Sequence, residues 1–185
     1  MPVTTGPAAA RENLERFNAL PVRAAESELL TCCASRRWAA GVAGGRPFGD
    51  PAALLAAAAA ELAGLDWRDV LEALNAHPRI GDRVAGEDRE SAWSRGEQSG
   101  MDAAAEELRA AMIEGNRAYE ARFDHVFLIC ATGRSAAEML EHLRARLKND
   151  DTTEQAVVRD ELAKIVELRL AKLLDEPRAT DEGSA

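Results

Sequence analysis

One stretch of this chain, His125-Val126-Phe127-Leu128-Ile129-Cys130, has the apolar, β-branched character of a strand, and no second stretch matches it. A lone strand leaves a row of N–H and C=O groups with nothing to pair with. The segment is therefore expected as a buried extended connector, and the rest of the core has to come from helices. Composition agrees: the apolar fraction is 46% but aromatics make up only 4%. The excess is alanine, which favours close-packed helices over sheets of β-branched and aromatic residues. The expected fold is all-α, and 185 residues suit one domain with one core.

Local signals divide the chain. Residues 1–9, with Pro2, Gly6 and Pro7, form a flexible lead-in, and 10–176 form the helical domain. Leu14, Phe17 and Leu20 recur at helical spacing until Pro21 stops them. A second helix is expected over 24–35, burying Leu29, Leu30 and Cys33, and Arg36-Arg37-Trp38 continues into a short third turn broken by Gly44-Gly45. Asp50-Pro51 reads as an N-cap with proline at the first helical position, and the alanine run behind it ends at Gly64. Asp66 caps another helix, with Val70, Leu71 and Leu74 on one face, and Pro78 biases His77 out of helical dihedrals. A polar loop over 79–89 precedes a helix over 90–99 that Gly100 closes. Asp102 caps a long helix to about Arg122, with Leu108, Met112 and Tyr119 inward. Ser135 with Glu138, and Thr152 with Gln155, read as capping boxes opening the last two helices. Pro177 is the stop, and 177–185 form a flexible polar tail.

Several functions are disfavoured. With 32 acidic against 23 basic residues the formal charge is −9, which opposes binding to nucleic acid or anionic lipid. No stretch of about 20 uncharged apolar residues is present to span a membrane, and no basic-then-apolar leader opens the chain. Three cysteines, two of them adjacent, do not make a disulfide framework and read as small core residues in a reducing cytosol. A Cys130 nucleophile has no identifiable activating partner. The motifs of a protein-ligated metal and of a nucleotide site are missing, so catalysis would run on side chains alone.

Three places carry candidate chemistry. His77 sits at a rigid X-Pro junction beside a glycine-containing loop, where an imidazole titrating near neutrality suits proton transfer. The bland alternative, for it as for His125 and His142, is a helix-end histidine serving terminal carbonyls. Ser94, Glu97 and Gln98 stand at i, i+3 and i+4 and so share one helix face. Glu97 is either a solvated carboxylate or the partner that orients an imidazole and raises its basicity. On the last helix, Leu162, Ile165, Val166 and Leu173 mark the core face and Arg169 falls within it. It either snorkels or pairs structurally, or it grips a substrate carboxylate or carbonyl with parallel donors.

These residues resemble the 2-oxo-4-hydroxy-4-carboxy-5-ureidoimidazoline (OHCU) decarboxylases of purine breakdown. The likeness runs through Phe17-Asn18-Ala19-Leu20-Pro21, Cys33 to Trp38, Arg46-Pro47-Phe48, His77-Pro78-Arg79-Ile80-Gly81, Ser94 to Gln98, Asn116-Arg117-Ala118-Tyr119, Phe127 to Gly133 and Arg169-Leu170. His-Pro-x-Ile-Gly with Ser-x-x-Glu-Gln at this distance makes it specific. The resemblance implies a single-domain helical bundle of that type, a homodimer, with no metal or organic cofactor. It makes His77 and Glu97 the catalytic pair and Ser94, Gln98 and Arg169 substrate-binding groups, with Pro78 shaping the pocket and backbone near Ile129 touching the substrate. The implied reaction yields (S)-allantoin and carbon dioxide from the ureidoimidazoline. The ending Gly183-Ser184-Ala185, without the peroxisomal tripeptide of eukaryotic members, suits a bacterial cytosol. Two alternatives stay open: a non-catalytic helical binding module, and an enzyme acting on another ureide or hydantoin.

Overall fold

The structure, a computed structural model, describes residues 7–80 and 99–175. Eight helices and no strand occur among them. They fall into two units, residues 1–73 with 159–185 and residues 74–158.

In the first unit lie α1 (Pro7–Ala19), α2 (Val22–Cys32), α3 (Arg36–Gly44), α4 (Pro51–Ala63), nearly all of α5 (Trp67–Leu74) and the later part of α8 (Asp151–Asp175). Helix α1 starts at Pro7, so the end of the expected lead-in is helical; proline suits a first helical position, and alanines follow it. Helix α4 has the expected limits because its signals are local: Asp50 Oδ1 accepts from Ala53 N–H at 2.8 Å, Pro51 opens the first turn and Gly64 ends it. The expected second helix is shorter than its pattern. It ends at Cys32, Cys33 is extended, and Ser35 caps α3 instead by accepting from Trp38 N–H. A serine hydroxyl does more for the orphan N–H groups of a new helix than for the interior of an old one. What was expected as a short turn is thus the nine-residue α3. Its Trp38 is fully buried, with Nε1 donating to Ala58 O at 2.9 Å.

Two of the resembling motifs interlock within this unit. Asn18 and Phe48 exchange two hydrogen bonds of 2.9 Å. Arg46 Nη1 donates to Phe17 O and Leu20 O, both at 2.8 Å, and its Nε to Ala43 O at 3.0 Å. One guanidinium thereby satisfies carbonyls left open at the ends of α1 and α3. The Arg46–Pro47 peptide is cis.

The second unit contains α6 (Ser99–Phe123), α7 (Ala136–Arg146) and the start of α8. Helix α6 runs through Gly100, which therefore does not close an earlier helix, and starts before the expected cap Asp102. Met112 and Tyr119 face inward as expected, in a cluster with Phe127, Ile129, Leu140 and Leu143, and Leu108 packs against its edge. The lone strand-like segment is a buried connector: residues 127–130 are buried and belong to no helix or strand. The Ser135–Glu138 capping box forms in both directions. The second expected box does not: Asp150 Oδ1 accepts from Thr153 N–H at 2.7 Å and displaces Thr152 from the cap. A carboxylate at that position also favours the positive end of the helix dipole.

The core of this unit holds a charged group. Glu154, fully buried, accepts from Arg146 Nε at 2.8 Å, from Asn149 Nδ2 at 2.8 Å and from the Tyr119 hydroxyl. Arg146 Nη1 donates to Leu128 O at 2.6 Å, and the guanidinium lies 4.6 Å from the Phe127 ring centroid. Burial, reinforced by the bond to Glu154, pushes the Tyr119 phenol well above its usual pKa. The network ties connector, α6, α7 and α8 through groups that are costly to bury unpaired.

Candidate functional site

His77 is positioned by the end of α5. Asp66 Oδ1 caps the helix start by accepting from Asp69 N–H at 2.9 Å. The helix stops at Leu74, and a tight turn follows in which His77 N–H donates to Leu74 O at 2.9 Å. Pro78 has no N–H to continue the ladder. The sequence expectation that His77 stands past a helix terminus therefore holds. The imidazole is half-buried with Nε2 shielded from solvent, whereas Pro78 is exposed.

The next two residues are gripped by α6. Arg79 meets Glu120 through two parallel bonds, Nε to Oε1 at 2.5 Å and Nη2 to Oε2 at 2.7 Å. That pairing holds the Glu120 carboxyl below the usual carboxylate range. Ile80 O accepts from Asn116 Nδ2 at 2.7 Å, and the Ile80 side chain packs against the Met112–Tyr119 cluster. Sequence reasoning placed Asn116 only within a resembling motif and gave Glu120 no part. The available signal was a polar residue in register with Met112 and Tyr119, followed at i+4 by a carboxylate.

Ile129 lies in the same unit as His77, with its side chain spent on the core, so only its backbone is left for a ligand. After it the chain turns: Arg134 N–H donates to Ala131 O at 3.0 Å, and Arg134 Nη1 donates to Cys130 O at 2.7 Å. Gly133 takes φ +77°, the left-handed region where a Cβ is disfavoured. Of the other histidines, His125 has Nδ1 3.1 Å from Val126 O and lies edge-on to Tyr119, while His142 is exposed on α7.

Arg169 belongs to the first unit. It is not central in the core stripe. The buried row of α8 is Val158, Leu162, Val166, Leu170 and Leu174, and Ile165, Arg169 and Leu173 form its half-buried flank. Steps of four residues overshoot one helical turn slightly, so the row drifts around the helix and leaves the arginine beside it. Its Nη1 donates to Cys32 O, the end of α2, at 3.2 Å. The neighbouring Cys33 thiol is pushed up to about 11 by burial, against the smaller opposing effect of that guanidinium. This is the inert core cysteine that the composition suggested, and none of the three cysteines forms a disulfide. Ser94, Glu97 and Gln98, with the helix expected to carry them, lie outside the described residues. Among those described, no three histidine, cysteine or acidic side chains gather as a metal site would require.

The family model described as OHCU decarboxylase matches residues 18–171. Among curated proteins, the uric acid degradation bifunctional protein TTL of Arabidopsis thaliana is 32% identical over 155 residues, 82% of this chain and 48% of its own length. The chain thus spans about half of that relative. The 2-oxo-4-hydroxy-4-carboxy-5-ureidoimidazoline decarboxylase of Amia calva is 31% identical over 75% of this chain and 81% of its own length. A crystal structure of OHCU decarboxylase in the presence of (S)-allantoin superposes with TM-score 0.66 at 31% identity, covering 80% of this chain and 98% of that one. A crystal structure of (S)-allantoin synthase shares the fold, with TM-score 0.62 at 17% identity, over 86% of this chain and 53% of that one.

Proposed function

The chain belongs to the OHCU decarboxylase family, and from that membership we infer that it converts 2-oxo-4-hydroxy-4-carboxy-5-ureidoimidazoline to (S)-allantoin and carbon dioxide in urate degradation. The observation that carries the reading is that the family match spans residues 18–171, a range that takes in the His77 turn and Arg169.

The chemistry asks little of a cofactor. Loss of carbon dioxide leaves an electron pair on a ring carbon beside a C=N bond, and that imine takes up the electrons. The protein has to bind the carboxylate, polarise the neighbouring hydroxyl and supply a proton to one face of the ring. His77, on a backbone fixed by α5 and α6, is assigned the proton transfer. Glu97 orients the imidazole and stabilises its protonated form. Arg169, held at one nitrogen by Cys32 O, is assigned an anionic or carbonyl oxygen of the substrate. Ser94 and Gln98 position the ureido and ring groups, Pro78 shapes the pocket wall, and backbone at Ile129 lines it. The enzyme works as a cytoplasmic homodimer without metal or organic cofactor, on a small molecule rather than nucleic acid or membrane.

Freshly generated substrate followed by ultraviolet absorbance tests these roles. His77→Ala and Glu97→Gln should each reduce turnover to the spontaneous rate with helical content unchanged. Near-normal turnover in either variant would overturn its assignment.

A further inference from the structure

We propose that Asn116 and Glu120, one turn apart on α6, are positioning residues that set the catalytic imidazole by clamping the two residues after its proline. The inference rests on the reading of His77 as the proton-transfer group. The backbone around His77 is held from one side by the end of α5, through His77 N–H and Leu74 O. The residues that follow are held by α6, through Asn116 on Ile80 O and Glu120 on two nitrogens of the Arg79 guanidinium. Pro78 between them has a locked φ, so a shift of residues 79 and 80 passes to the imidazole with little backbone freedom to absorb it.

Stability alone does not account for Asn116. Its side chain is 2% exposed in an apolar setting, yet Oδ1 has no hydrogen-bond partner among the described residues. Burying half of an amide unsatisfied is unfavourable, and leucine, with the same branched skeleton, would bring no unpaired polar atom of its own. What the amide supplies and leucine cannot is the donor to Ile80 O. Glu120 adds a fork-to-fork pair that fixes direction as well as distance. Because the pair is half-exposed, its value is geometric more than energetic.

The separating experiment compares Asn116→Leu, Asn116→Ala and the charge swap Arg79→Glu/Glu120→Arg, with each swap single, against Leu147→Ala at the edge of the same cluster. Asn116→Leu should melt within a few degrees of the parent, yet lose about 10²-fold in kcat, the penalty of misplacing a catalytic group by about 1 Å. KM should stay within about threefold, because Ser94, Gln98 and Arg169, the side chains assigned to hold the substrate, belong to other segments of the chain. Each swap single should lower kcat about tenfold and the double should recover most of it, as a preserved pair would. Leu147→Ala should melt lower with kcat unchanged. Unchanged kcat in Asn116→Leu overturns the proposal. So does a loss of kcat that merely follows melting temperature across all variants, the control included. Amide exchange at Arg79 and Ile80 is read in parallel without substrate and should quicken in the Asn116 variants. An inactive parent protein would sink the functional reading, whereas slow exchange in those variants would sink the clamp.

Discussion

At Glu154 a carboxylate is fully buried against a guanidinium, an amide and a phenol. Its removal leaves Arg146 charged in an apolar setting, so Glu154→Ala should cost about 3–5 kcal/mol in denaturant unfolding. A cost within 1 kcal/mol would mean that the network is solvated and does not hold the connector. Cys33 gives a second expectation, of the opposite pH dependence to a paired carboxylate. Its thiol is raised from 9.0 to about 11 in the folded chain. Between those values the unfolded chain has lost a proton that the folded chain keeps. The contribution is fully present below about 9 and is lost as pH rises toward about 11, by at most about 3 kcal/mol. Stability of a Cys33→Ala variant measured over that range should fall less steeply than that of the parent; equal slopes would contradict the assignment. The residue scale is also where reading from sequence fell short for the site. His77 and Pro78 were legible because proline dictates its neighbour's backbone locally. Arg169 was placed one flank off, because the drift of a buried row emerges only when the partners of α8 are known.

Helix limits were legible wherever one local signal acted without a competitor. Asp50-Pro51 and Gly64 bracket α4, and Ser135 with Glu138 opens α7. Where two capping residues compete, sequence alone does not choose. Asp150 displaced Thr152 at α8, and Ser35 took the start of α3 from the expected end of α2. Gly100 shows the converse, a stop signal overridden inside the long helix α6. The connector at 127–130 was readable by elimination, since nothing else in the chain could pair with it. A capping box satisfies two backbone groups, so Ser135→Ala should lower stability by about 1 kcal/mol. Thermal unfolding checks this, and an unchanged midpoint would show that the box adds nothing to α7.

For the whole chain, the family match covers residues 18–171, and no described helix is long and apolar enough to cross a membrane. A formal charge of −9 keeps the surface unsuited to polyanions, which fits a small-molecule enzyme. The alternative of a binding module explains helices and charge equally well but offers no reason for the gripped His77 turn. The most direct measurement is the circular dichroism of allantoin formed when the protein meets freshly generated substrate. The account predicts decay faster than the spontaneous rate and an (S)-enriched product, both lost in His77→Ala. Racemic allantoin formed at the spontaneous rate by the parent protein would contradict it.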